Sequence, residues 1–162
     1  MKTAEMTVSD VTRMALAMEE RGKNLYSWAA RKFKDDEVVS MFKRLAEEEK
    51  DHAMVFRKLL ELPDVREAVS ADSNRYLVML AGTGNVFPLH GEITDEQVKT
   101  PSDALAMGIQ AEKDSILFYH EMYEQTQSKE VKQALSKLLE EEKIHLLELR
   151  DSMEELQRMV RE

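Results

Sequence analysis

Glu19, Tyr26, Glu49 and His52 recur in this chain as Glu112, Tyr119, Glu142 and His145, every member displaced by the same 93 positions. Carboxylates and imidazoles are metal-binding groups. A Glu from each of two helices, with a Glu-x-x-His from each of two others, makes a two-metal site when all project into one helical bundle. The two Glu-x-x-His segments here are Glu49 to His52 and Glu142 to His145. One such segment alone is weak, because acidic helices are common. The duplication strengthens it, since Val38, Phe42 and Leu45 map by the same displacement onto Val131, Leu135 and Leu138.

Val38, Phe42, Leu45, Glu49, His52, Phe56 and Leu59 alternate in steps of four and three, which places them on one helical face. Glu49 and His52 therefore point where the core should be. An isolated buried carboxylate costs several kcal/mol and needs a partner, a proton or a metal. Four ionised glutamates facing one another would repel, and no Lys or Arg occupies these stripes to neutralise them. Two divalent cations would. The competing reading leaves the glutamates on a hydrated surface, with the apolar stripe slightly rotated.

Tyr26 and Tyr119 each follow a single Glu by seven residues, two turns along the same face, where a phenol can hydrogen-bond a carboxylate from a neighbouring helix. Taken singly, each would be a core aromatic with a satisfied hydroxyl. Small residues flank the single glutamates: Ala15 and Gly22 around Glu19, Gly108 and Ser115 around Glu112. Glycine inside a helix is about 1 kcal/mol worse than alanine, so its presence points either to close packing or to room for a small molecule.

Four long helices must position these residues. The first is expected from Ser9 or Asp10 to about Lys34, with Asp35 and Asp36 in the turn, and the second from there to about Leu62, ended by Pro63. The third starts at Thr100 as N-cap, Pro101 as first helical residue and Asp103 in the capping-box position, and runs to about Gln127. Ser128 then caps a fourth helix reaching nearly to the C-terminus. Short turns make two antiparallel hairpins, joined by a long crossover from Leu62 to Thr100 with a short crossing helix over Asn74 to Ala81 and a loop over Gly82 to Glu92. The class is all-α, an antiparallel four-helix bundle with one long crossover between helices 2 and 3.

The segments Ala46 to His52 and Glu140 to His145, together with Glu19 to Tyr26 and Glu112 to Tyr119, resemble the di-iron domain of rubrerythrins within the ferritin-like superfamily. The resemblance covers nearly the whole chain. It implies one ferritin-like domain over residues 1–162, with a hairpin at 9–62, a crossover at 63–100 and a hairpin at 101–160. It also implies two iron ions, with Glu19, His52, Glu112 and His145 as terminal ligands and Glu49 and Glu142 as bridges. Manganese or another divalent metal would suit the same donors. Many rubrerythrins carry an additional Glu one turn before the third-helix ligand, where this chain has Ile109, and many append a module with four iron-binding cysteines, where this chain has none. The symmetric ligand set is similar to bacterioferritin too, but the position of that family's haem-binding Met holds Lys50, so no haem is expected.

Function follows from the same residues. Resemblance to rubrerythrin implies an oxidoreductase that reduces hydrogen peroxide or dioxygen, fed by a separate donor such as a rubredoxin-like protein or a flavoprotein reductase. A ferroxidase or iron-storage subunit and a non-catalytic metal-binding interaction bundle are the alternatives. Analogy with ferritin-like proteins implies a homodimer. The net charge of −9 argues against nucleic acid and anionic membrane surfaces. The chain has no Cys, which excludes disulfides and thiol chemistry within it, and its longest notable apolar run, Tyr76 to Ala81, is too short to span a bilayer. A cytoplasmic protein is expected. His90 and His120 fall off the repeated spacing, the 11 Met residues read as adaptable core filler, Trp28 reads as packing, and Gly82-Thr83-Gly84 lacks the rest of a phosphate loop.

Overall fold

The computed structural model describes residues 5–82 and 93–162, apart from the side chains at 64 and 65. Five α-helices account for most of it: α1 (Val8–Lys32), α2 (Asp36–Leu59), α3 (Ala71–Gly82), α4 (Pro101–Gln125) and α5 (Lys129–Arg161), with a single 3₁₀ turn at Pro63–Arg66. No strand occurs among the described residues. The expected four long helices and the short crossing helix are all present.

Local chemistry sets the boundaries. Thr7 caps α1 through a reciprocal capping box with Asp10, so the helix starts ahead of the expected Ser9 or Asp10. It stops at Lys32, two residues early: Phe33 already leaves the helix in extended conformation, and the Asp35 side chain accepts from Val38 N to start α2. The second helix ends at Leu59, three residues before the expected Leu62, where Pro63 opens a tighter turn. Thr100, Pro101 and Asp103 begin α4 as anticipated. That helix closes at Gln125, because Thr126 and Ser128 form the turn. The crossing helix starts three residues earlier than expected, Ser70 accepting from the backbone N–H groups of Ser73 and Asn74. Of the loop expected at 82–92, residues 83–92, His90 among them, lie outside the described residues.

Ser128 Oγ accepts from Val131 N at the start of α5, and both residues are buried. Ser128→Ala should lower the unfolding free energy by about 1 kcal/mol, the usual worth of an N-cap, as read from the urea midpoint at unchanged slope.

The hairpins α1–α2 and α4–α5 pack side by side through α1 and α4, while α2 and α5 touch only lightly. Hydrogen bonds tie the crossover to the hairpins along its described length. Thr7 and Ala68 form an isolated antiparallel bridge; Glu67 accepts from Thr126 Oγ1 and Gln127 N in the α4–α5 turn; and Arg21 reaches the Ala81 carbonyl at 2.7 Å. Lys32 holds its far end, donating to Asp95 and to the Val98 carbonyl.

The core divides into two apolar clusters. One gathers Val8, Val11, Phe56, Phe118, Tyr119, Leu135 and Leu138; the other gathers Leu25, Tyr26, Phe42, Leu45, Leu105 and Leu149. Along α1, α2, α4 and α5 the switch from one cluster to the other falls at Glu19, Glu49–His52, Glu112 and Glu142–His145. A layer of acids and imidazoles is therefore sealed between two apolar plugs.

Candidate metal centre

The four glutamates and two histidines of the duplicated constellation lie in this layer, and Tyr26 and Tyr119 reach it from the apolar clusters on either side. Glu19, Glu49, His52, Glu112, Glu142 and His145 are all under 5% exposed, and Tyr26 and Tyr119 are fully buried. The hydrated-surface reading fails on those values.

The geometry is close to two-fold. His52 Nδ1 lies 3.1 Å from Glu142 Oε1 and 3.6 Å from Glu19 Oε2; His145 Nδ1 lies 3.1 Å from Glu49 Oε1 and 3.6 Å from Glu112 Oε1. Each imidazole thus faces the bridging-position glutamate of the opposite hairpin. The two rings stack with centroids 5.3 Å apart. Tyr26 donates to Glu112 Oε1 at 2.7 Å, and Tyr119 donates to Glu19 Oε1. One atom of each of Glu49, His52, Glu142 and His145 falls within 4.8 Å of every other, a grouping that can hold a metal ion. The imidazole and carboxylate donors suit iron, manganese or zinc. Glu19 Oε2 is buried with no hydrogen-bond partner, a lone pair aimed into the cluster that a cation would satisfy.

Electrostatics show how the cluster keeps its charge down with protons alone. Burial and the neighbouring carboxylates of Glu19 and Glu112 push Glu49 well above the usual range, and burial with Glu112 and Glu19 does the same to Glu142. Burial opposes the charge on Glu19, but the facing Glu49 and His52 outweigh it and hold the group down at about 2. Glu112 is lowered likewise, against burial, by Glu142 and His145. Burial acts against the imidazolium of His52 and His145, yet the facing carboxylates of Glu19 and Glu112 respectively raise both. These directions favour the neutral acid at Glu49 and Glu142 and the imidazolium at His52 and His145 beside ionised Glu19 and Glu112, so that opposite charges offset. Tyr26 and Tyr119 are pushed well above their usual values, by burial first and then by the surrounding glutamates, so they stay protonated and can only donate to a carboxylate.

Two residues were not singled out from the sequence. His52 Nε2 donates to Glu141 at 2.8 Å and His145 Nε2 to Glu48 at 2.7 Å, so each outer imidazole nitrogen is held by a carboxylate of the other hairpin. Glu48 and Glu141 obey the same displacement of 93 and immediately precede Glu49 and Glu142, a signal available in the sequence. Such partners fix ring orientation and the tautomer that leaves Nδ1 free for a metal. Glu48→Gln and Glu141→Gln should each weaken metal binding by about tenfold, measurable by anaerobic cobalt(II) titration.

A cleft of about 590 Å³ opens between α2 and α5, lined by Glu48, Asp51, Val55, Leu138, Glu141 and Glu148, with His52 and His145 in its wall. The other six members of the constellation do not line it. His120 is exposed on α4, away from the cluster, and Trp28 packs edge-on against Phe33 with Lys32 over its face. Ile109 packs against the apolar cluster that contains Tyr26, and Lys50 is exposed. Among the described residues no helix is long and apolar enough to cross a membrane.

The rubrerythrin family model matches residues 10–153. A search of the curated proteins gives no match. Among solved structures, a protein from Thermotoga maritima described as ferritin-like and diiron-carboxylate is 26% identical with a TM-score of 0.73, over 94% of this chain and 98% of that one. A hypothetical protein from Pyrococcus furiosus is also 26% identical, with a TM-score of 0.68 over 98% and 95%. The bacterioferritin-related protein of Bacteroides fragilis, a dodecameric thioferritin, shares the fold at 22% identity and a TM-score of 0.69, over 95% and 88%.

Proposed function

The chain belongs to the rubrerythrin family, and on that basis we propose that it is a di-iron oxidoreductase that reduces hydrogen peroxide, or dioxygen, with electrons from a separate donor protein. Glu19 with His52 would hold one ion and Glu112 with His145 the other, while Glu49 and Glu142 serve both. The observation that carries this reading is the buried layer itself: four carboxylates and two imidazoles, each under 5% exposed, converge where an apolar core would be more stable. Such an arrangement is expensive unless it is used. Two ferrous ions held there would supply the two electrons that, with two protons, take peroxide to water.

The protein's own contribution is placement. Tyr119 and Tyr26 fix the orientation of Glu19 and Glu112, Glu141 and Glu48 fix the two imidazoles, and the apolar clusters on either side keep bulk water from the carboxylates. The cleft between α2 and α5 gives small molecules a way to the imidazole edges. None of the 162 residues is a cysteine, so a thiolate-bound relay is not available within them and re-reduction falls to a partner.

Anaerobic loading with iron(II), rapid mixing with peroxide and then with reduced rubredoxin or a flavoprotein reductase tests the proposal. Two irons per chain, fast oxidation and repeated re-reduction are expected. Oxidation that no donor reverses would overturn the peroxidase reading. Iron uptake for storage is favoured by one observation, the acidic lining of the cleft by Glu48, Asp51, Glu141 and Glu148, and it would show as a large hollow oligomer accumulating many irons per chain.

A further inference from the structure

The duplicated centre is not symmetric where α1 crosses α4. A Cβ built on Gly108 would lie 3.0 Å from Tyr26 Cε1, 3.1 Å from Tyr26 Oη and 3.2 Å from Leu149 Cδ1. The leucine methyl can swing aside. The phenol cannot, because it is fully buried, its ring stacks on Phe42 at 5.9 Å and 19°, and its hydroxyl is engaged with Glu112 at 2.7 Å. The matched position 93 residues earlier is Ala15, which already carries a methyl, buried in the same cluster as Tyr119. The carboxylates differ in the same sense. Tyr119 and His52 address separate oxygens of Glu19, whereas Tyr26 and His145 both face Oε1 of Glu112.

We propose that Gly108 is a positioning residue for the Glu112 half of the centre: the missing side chain lets Tyr26 lie across α4 and hold Glu112, so this half alone is uncoupled by one added methyl. Gly108 answers the choice left open by the sequence in favour of close packing. Its opposite number among the glycines behaves differently, since a Cβ on Gly22 would make only ordinary contacts, the nearest at 3.4 Å to Glu49 Oε2. The consequence for binding rests on the two-metal reading; the steric coupling of Gly108 to Tyr26 does not.

The test is a double-mutant cycle on Gly108→Ala and Tyr26→Phe, with Ala15→Gly as the control. In stepwise anaerobic cobalt(II) titrations, Gly108→Ala should weaken one of the two binding steps by about tenfold and leave the other alone, as loss of a group that orients a ligand does. Tyr26→Phe should do the same, and the double variant should lose no more than the worse single variant. Ala15→Gly should leave both steps within twofold. Equal loss in both steps, or losses that multiply in the double variant, would overturn the proposal. A second readout needs no metal. In the metal-free protein, removing the hydroxyl takes away the 3.1 Å contact and frees the ring from Glu112, so that Cε1 can shift; Gly108→Ala/Tyr26→Phe should therefore melt above Gly108→Ala even though Tyr26→Phe melts below the parent. A double variant melting below both singles would sink the inference. Should the parent bind no cobalt, the two-metal reading fails and the melting cycle still decides the role of Gly108.

Discussion

Replacing Glu49 and Glu142 together by Gln should abolish tight metal binding and leave the metal-free protein as stable as the parent, or more so. In the parent without metal, both groups are pushed toward the neutral acid by burial and by the charges of Glu19 and Glu112. A glutamine amide copies their size, and its N–H can donate to Glu19 or Glu112 as the acid proton does. Nothing in the metal-free cluster is thereby lost, and the possibility of four facing anions disappears. What the amides cannot do is ionise, so the negative charge that would neutralise two divalent ions is halved. The measurement is paired. The parent at a hundredfold excess of metal over its dissociation constant should gain about 2.7 kcal/mol for each ion bound, roughly 5–10 °C in melting temperature per ion, and the variant almost nothing. Unchanged metal stoichiometry in the variant would remove Glu49 and Glu142 from the centre, whatever the melting curves do.

The same contrast explains how much could be read from residues alone. The stripe on α2 places Glu49 and His52 inward by spacing, and the structure buries Val38, Phe42, Leu45, Phe56 and Leu59 with them. The repeated displacement then carries the reading to α5, where Val131, Leu135, Leu138, Glu142 and His145 are buried in turn. Periodicity reports which face of one helix is inward. It does not report which residue of another helix stands opposite. For that reason the exchange of imidazoles between hairpins, His52 toward Glu141 and Glu142 and His145 toward Glu48 and Glu49, is visible only in the folded chain. Glu48 and Glu141 lie off the stripe and read as solvated acids on any helical wheel; only their partner across the α2–α5 cleft gives them a task.

Helix ends were less legible than helix faces for a related reason. Capping is decided by one or two side chains, and Thr7 with Asp10 competes with Ser9 as a start on nearly equal local terms. What tips the balance is tertiary: the chain near Glu67 and Val69 pairs with Met6 and Val8, fixing Thr7 in extended conformation at the helix entrance. A single bridge of that kind has no period and leaves no pattern in the sequence. The cleft is likewise a property of how far α2 stands from α5, which no stripe encodes.

Metal uptake should strengthen steeply as pH rises, and the metal-free fold should weaken over the same range. Glu49 and Glu142 have folded-state values raised above their ordinary 4.5, and His52 and His145 values raised above 6.5. A raised group favours the fold fully below its unfolded value and loses that contribution as pH climbs through its folded value. These four therefore destabilise the metal-free protein progressively above pH 4.5 for the acids and above 6.5 for the imidazoles. Glu19 and Glu112 act in the opposite direction. Being lowered, they stabilise above 4.5 and fail only in acid, for Glu19 near 2. Cations must displace the protons that the four raised groups hold, and each proton released steepens the binding free energy by about 1.4 kcal/mol per pH unit. The gap in melting temperature between metal-loaded and metal-free protein should accordingly widen from pH 5.5 to pH 8, with proton release on loading measurable directly by a pH indicator in weak buffer. A gap that stays constant across that interval would mean that cations reach this protein without passing through the buried glutamates and imidazoles, and the two-metal centre would have to be abandoned.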